Sequence, residues 1–88
     1  MIVSYTKSFE KSVQKFPERD RIENVIETFI KDLEQNIRPH GLGLKRLRDD
    51  IWEIRVGIRT RILFLLIPGE IRFLLVGDHD EIKDYLKN

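Results

Sequence analysis

The chain has 88 residues, of which 35% are charged, with a formal net charge of +1 and no cysteine. That length supports one small two-layer core of helix on sheet and excludes a second domain, so residues 1–88 are read as one domain. Without cysteine there is no disulfide scaffold and no thiolate metal site, and two histidines alone fall short of a structural zinc site.

The N-terminus, MIVSYTKSFEK, lacks the apolar run of a secretory signal. The longest apolar run, ILFLLI, is far shorter than the roughly 20 residues of a membrane span, which points to a soluble, cytoplasmic protein. Charge is unevenly spread. Residues 1–37 carry 6 Lys/Arg against 7 Asp/Glu, residues 38–61 carry 7 against 3, and residues 62–88 carry 3 against 5. The middle segment is therefore +4, the local excess of a phosphate-binding surface or of a solvated basic loop.

In chain order, MIVSY has short β character. SFEKSVQKF then repeats Phe9, Val13 and Phe16 at helical spacing, with Ser8 as the expected N-cap and Pro17 as the break. ERDRIENVIETFIKDLEQN places Ile22, Val25, Ile26, Phe29, Ile30 and Leu33 on one helical stripe. Glu18 and Asp20 suit its positive end, and Asn36, Pro39 and Gly41 stop it. The two helices are expected to pair antiparallel, with His40 in the turn that follows. From Leu42 the period becomes two: LKRLR, IWEIRV, RTRILFLLI and IRFLLVG read as strands separated by Asp49-Asp50, a turn near Gly57, and Pro68-Gly69. The tail IKDYLKN reads as a short helix or an extended end. The expected fold is α+β, in β-α-α-β-β-β-β order, with a helical hairpin on one face of a mainly antiparallel four- to five-stranded sheet.

The second and third of these strands carry an unusual load of charge: Glu53, Arg55, Arg59 and Arg61 within an otherwise apolar hairpin. A loop over residues 57–59 would pair Arg55 with Arg61, Ile54 with Ile62 and Glu53 with Leu63. Trp52, Ile54, Val56, Ile62, Phe64 and Leu66 then face the helices, and Glu53, Arg55 and Arg61 face away. A two-residue loop would instead place Arg61 beside Trp52 and Ile54, burying a charge at about several kcal/mol.

Lys45, Arg48, Glu53, Arg55, Arg61 and His79 would collect on or near that second face, with Tyr85 close by if the tail folds back. Those groups suit RNA cleavage without a metal or other cofactor. Glu53 would accept the proton of a ribose 2′-OH, Arg61 and Arg55 would neutralise the phosphate, and His79 would protonate the leaving 5′-oxygen. Lys45, Arg46, Arg48 and Arg59 are the expected RNA-binding cations. Alternating charge is also what a solvated sheet face with cross-strand ion pairs looks like, and the acidic residues flanking His79 admit a metal-binding reading.

The element order, together with LKRLRDDIWEIRVG, RTRILFLL and IRFLLVGDHDEI, resembles the RelE/ParE superfamily of toxins from bacterial type II toxin-antitoxin systems. The resemblance spans nearly the whole chain. It implies a RelE-type mRNA interferase that enters the ribosomal A site, cuts mRNA through a 2′,3′-cyclic phosphate, and is held in a hetero-oligomer by a cognate antitoxin. Arg61 sits on the family's phosphate-stabilising arginine. Glu53 and Arg55 lie on the strand where members place lysines or a glutamate base, His79 lies where members carry arginine or histidine, and Tyr85 matches a C-terminal tyrosine. The same resemblance leaves open a ParE-like toxin that poisons DNA gyrase without catalysis. The modest net charge favours a third alternative, a degenerate toxin retaining only antitoxin binding.

Overall fold

The computed structural model describes residues 1–38 and 41–87. Pro39 and His40, expected in the helix stop and the turn, lie outside the described residues. The elements are β1 (Ile2–Tyr5), α1 (Lys7–Val13), α2 (Arg19–Glu34), β2 (Lys45–Arg48), β3 (Ile51–Val56), β4 (Thr60–Ile67), β5 (Glu70–Gly77) and α3 (His79–Lys87). The strands form one sheet in the order β1-β5-β4-β3-β2. It is mixed: β1 runs parallel to β5, while the other three pairings are antiparallel.

One apolar cluster fills the space between the sheet and the first two helices. Phe9 and Val13 of α1 and Ile22, Ile26 and Phe29 of α2 meet Ile54, Val56, Ile62, Phe64, Ile71, Phe73 and Val76 of the strands. Aromatic rings run through it, with Phe29 against Phe64 at 5.0 Å and Phe64 against Phe73 at 5.9 Å between centroids. The stripe expected for α2 is the stripe it buries, and its end is set by Asn36 in the left-handed region at φ 56°. There the Ile37 N–H donates to the Asp32 carbonyl at 2.8 Å, closing the last turn.

Two expectations for the helices need correction. Thr6, not Ser8, caps α1: its extended backbone leaves the hydroxyl free to accept from the Phe9 N–H at 3.1 Å, whereas Ser8 is already inside the first turn. Nor do α1 and α2 make a packed hairpin. Each lies on the sheet, α1 against β5 and α2 toward β3, with a cleft of about 450 Å³ between them lined by Tyr5, Phe9, Val13, Glu23, Ile26 and Glu27 among others. A seven-residue α1 is too short to cover α2 as well as the sheet.

β5 contains the feature that organises both faces. Leu63 pairs with Leu75 and Phe64 with Phe73, so Leu74 is an extra residue, a β-bulge. Before it Ile71 and Phe73 point into the core; after it the parity reverses, and Val76 does so. α1 and its N-cap residue supply the hydrogen bonds that β1, whose pairing ends at Phe73, no longer provides. The Thr6 hydroxyl donates to the Leu74 carbonyl at 3.0 Å, and the Val76 N–H donates to the Ser12 hydroxyl at 2.9 Å.

Ser12→Ala leaves the buried Val76 N–H without its acceptor and should lower the unfolding free energy by about 1–3 kcal/mol, measured by urea denaturation. A second prediction concerns Tyr5, whose phenol is raised above the ordinary 10.0 by burial and by the nearby Glu27 and Glu23 carboxylates. Because the unfolded chain ionises first, the stability tied to this group is complete below pH 10.0 and lost as pH rises through the folded value. Tyr5→Phe should remove that part of the alkaline loss, seen by comparing the two unfolding curves above pH 10.0.

Candidate functional site

The β3–β4 hairpin has the register that the charge pattern requires. Arg55 pairs with Arg61, Ile54 with Ile62 and Glu53 with Leu63, around a loop that Gly57 opens at φ 80°. Glu53, Arg55 and Arg61 therefore share the face turned away from α1 and α2. That face is less open than expected, because α3 packs across β4 and β5 there. Leu63 is fully buried and Ile82 nearly so, both outside the main cluster.

α3 begins at His79, and the acidic run around it explains why. The Glu81 N–H donates to Asp78 Oδ1 at 2.8 Å, and the Asp78 N–H donates to Glu81 Oε1 at 3.1 Å. This reciprocal pair is a capping box, so two of the carboxylates that admitted a metal reading serve to start a helix. At the other end Arg48 Nη2 donates to the Leu86 carbonyl at 2.9 Å, placing a cation at the negative end of α3. The Gly77 backbone pairs with Arg61 at the site edge, and a Cβ there would come within 2.9 Å of Glu81 Cβ.

Between the hairpin tip and the start of α3 lies a hollow of about 220 Å³, lined by Ile58, Arg59, Arg61, Asp78, His79 and Asp80. It joins three of the expected site residues, Arg59, Arg61 and His79. Two arginines face two aspartates, so the hollow gains a net positive charge when His79 is protonated. Glu53 is 3% exposed and lies behind this lining. Arg61 Nη1 donates to Glu53 Oε2 at 2.6 Å, while Arg61 Nε is buried with no hydrogen-bond partner.

The other expected residues lie elsewhere. Arg55 is exposed, and its Cδ would be 2.9 Å from a Cβ on Gly43, so its stem lies along the loop that precedes β2. Lys45 is exposed on β2, in register with Glu53. Arg46 pairs with Trp52 and donates from Nε to the Asp49 carbonyl at 2.6 Å, and Arg48 holds α3. Tyr85 is half-buried on α3, outside the hollow lining. Sequence reasoning passed over Ile58, 93% exposed at the hairpin tip, and read Asp80 only as one of the acidic residues flanking His79. The D-x-x-E spacing of residues 78–81 was the available sign that His79 and Asp80 open a helix.

Solved structures share this fold. The RelB–RelE antitoxin–toxin complex from Methanococcus jannaschii matches at 27% identity and a TM-score of 0.71, over 92% of this chain and 95% of the other. The E. coli DinJ–YafQ complex matches at 19% identity and 0.70, over 91% and 94%. A copper-bound mutant toxin from Helicobacter pylori matches at 19% and 0.74, over 93% and 98%. The structural neighbours are thus toxins of the RelE and YafQ kind. Neither protein-family models nor curated protein sequences match the chain.

Gly77→Ala should disturb the capping box and destabilise α3 by about 0.5–2 kcal/mol, the scale of a lost N-cap. Hydrogen exchange should show faster opening of residues 79–87 with the sheet amides little changed.

Proposed function

We propose that the chain is the toxin of a toxin-antitoxin system and that it acts as an mRNA endoribonuclease, cutting message in the ribosomal A site. The observation that carries the reading is the convergence of Arg59, Arg61 and His79 on one hollow of about 220 Å³. The RelE and YafQ neighbours support the toxin role, and the +4 charge of residues 38–61 supports a phosphate ligand.

The chemistry follows from those groups. The ribose 2′-oxygen attacks phosphorus, the bond to the 5′-oxygen breaks, and the products are a 2′,3′-cyclic phosphate and a free 5′-hydroxyl. Arg61 and Arg59 stabilise the negative charge that grows on the phosphate oxygens. Protonated His79 gives its proton to the leaving 5′-oxygen. The proton released by the 2′-hydroxyl passes to a carboxylate, of which Asp80 lines the hollow while Glu53 lies behind Arg61. Lys45 and Arg55, exposed on the sheet side of the site, extend the phosphate-binding surface.

The partner in this reading is a cognate antitoxin, as two of the neighbours are toxin–antitoxin complexes. An acidic antitoxin segment laid over the basic middle of the chain would cover Arg61 and block the hollow.

Induced alone in a bacterial host, the wild-type chain should arrest growth and produce cuts within codons on primer extension of a resident mRNA. Arg61→Ala and His79→Ala should each lower cleavage by about 10²-fold or more and restore growth. Arrest with intact mRNA would sink the nuclease reading. The adjacent gene's product should bind the chain and relieve the arrest, and failure to bind would remove the antitoxin.

A further inference from the structure

We infer that Glu53 is a positioning residue, which works by holding the Arg61 guanidinium toward the hollow and takes no proton from substrate. The inference rests on the nuclease reading and assigns a role within the same site.

The argument begins with what surrounds Arg61. Arg55 stands directly across from it on β3, so the two arginines are cross-strand partners on one face. The Arg61 side chain is 19% exposed, and its Nε has no hydrogen-bond partner. An arginine so placed swings away from its neighbour unless something fixes it. Glu53, one diagonal step from Arg61 on the same face, supplies the charge-assisted bond from Nη1 at 2.6 Å. The Arg55 side chain runs along Gly43 instead, and among the described residues the carboxylate's ion-pair partner is Arg61, not Arg55.

The same geometry counts against Glu53 as the proton acceptor. A general base must come within hydrogen-bond reach of the proton it removes. The Glu53 side chain is 4% exposed, is absent from the hollow lining, and has one oxygen engaged by the guanidinium that is to bind the phosphate. Reaching the ribose would break the bond that orients Arg61 at the moment Arg61 is needed. A carboxylate that anchors and an arginine that binds are compatible in one catalytic step.

The test compares wild type, Glu53→Gln and Glu53→Ala in the intact chain, reading RNA cleavage on programmed ribosomes against pH and hydrogen exchange of the Arg61 guanidinium by ¹⁵N NMR. Glutamine keeps an oxygen that can accept from Nη1 but cannot act as a base. The inference expects Glu53→Gln to stay within about tenfold of wild type, with an unchanged acid limb of the pH profile and a still-protected guanidinium. It expects Glu53→Ala to lose protection at Arg61 and about 10²-fold or more in cleavage. A loss of about 10²-fold or more in Glu53→Gln, with the acid limb gone and Arg61 still protected, would make Glu53 the base and overturn the proposal. Unchanged Arg61 exchange in Glu53→Ala would also overturn it. If Glu53→Ala does not fold, Glu53→Gln decides alone. If wild type cleaves nothing, the nuclease reading fails, and the exchange measurement still decides whether Glu53 anchors Arg61.

Discussion

The extra residue in β5 is the constraint on which both faces of the sheet depend. Strand side chains alternate, so a strand that buries Ile71 and Phe73 would, without interruption, also turn Leu75 and Gly77 toward the helices. Leu74 shifts the parity by one. Val76 then completes the core beside α1, while Leu75 and Gly77 lie on the other face, opposite Leu63 and Arg61. The chain leaves β5 next to Arg61, and His79 follows within two residues. A bulge disrupts ladder bonding locally, and here two hydroxyls repair it, Thr6 at the N-cap of α1 bonding the Leu74 carbonyl and Ser12 within α1 accepting from the Val76 N–H. A two-turn helix thus stabilises the far face of the sheet through its polar residues as well as through Phe9 and Val13.

The hairpin register belongs to the same problem and is the part of the structure most legible in the sequence. A register shifted by one residue, as a two-residue loop would give, puts Arg61 among Trp52 and Ile54, so desolvation selects the observed three-residue loop over it. The α2 stripe was legible for a similar reason, since six apolar residues at helical spacing fit one burial pattern. The bulge was not. FLLV reads as continuous apolar sequence, and either parity leaves apolar side chains on both faces. Nor does MIVSY reveal its direction: four residues of β character fit an antiparallel or a parallel edge, and β1 runs parallel to β5, bringing Thr6 to where it caps α1 and reaches the Leu74 carbonyl.

The site divides along the same lines. That Arg61 and His79 come together was legible because Arg61 opens the RILFLLI strand and His79 stands just past the end of IRFLLVG. Arg46 and Arg48 carry the same charge as Arg59, but one donates to a turn carbonyl and the other to the end of α3. Sequence counts positive charge without telling which cations are engaged in holding the fold. The acidic residues around His79 present the reverse case. As composition they oppose an RNA site, whereas as a capping box two of them fix the start of α3 and hence the place of His79.

Burial decides between roles that composition leaves equal. Asp80 and Glu53 are both carboxylates within reach of the arginine cluster, yet one lines the hollow and the other is covered by the guanidinium it binds. A buried carboxylate whose partner is an arginine is held there by its pairing, since removing either member leaves the other desolvated and uncompensated. Such a pair is rigid because neither charge can leave alone. Rigidity suits a group that must present positive charge to a phosphate without reorganising, and it is a poor property for a base that must approach, take a proton and release it. In the proposed nuclease the hairpin thus fixes the phosphate-binding end of the site through its buried pair, and the first turn of α3 is left to carry the protons.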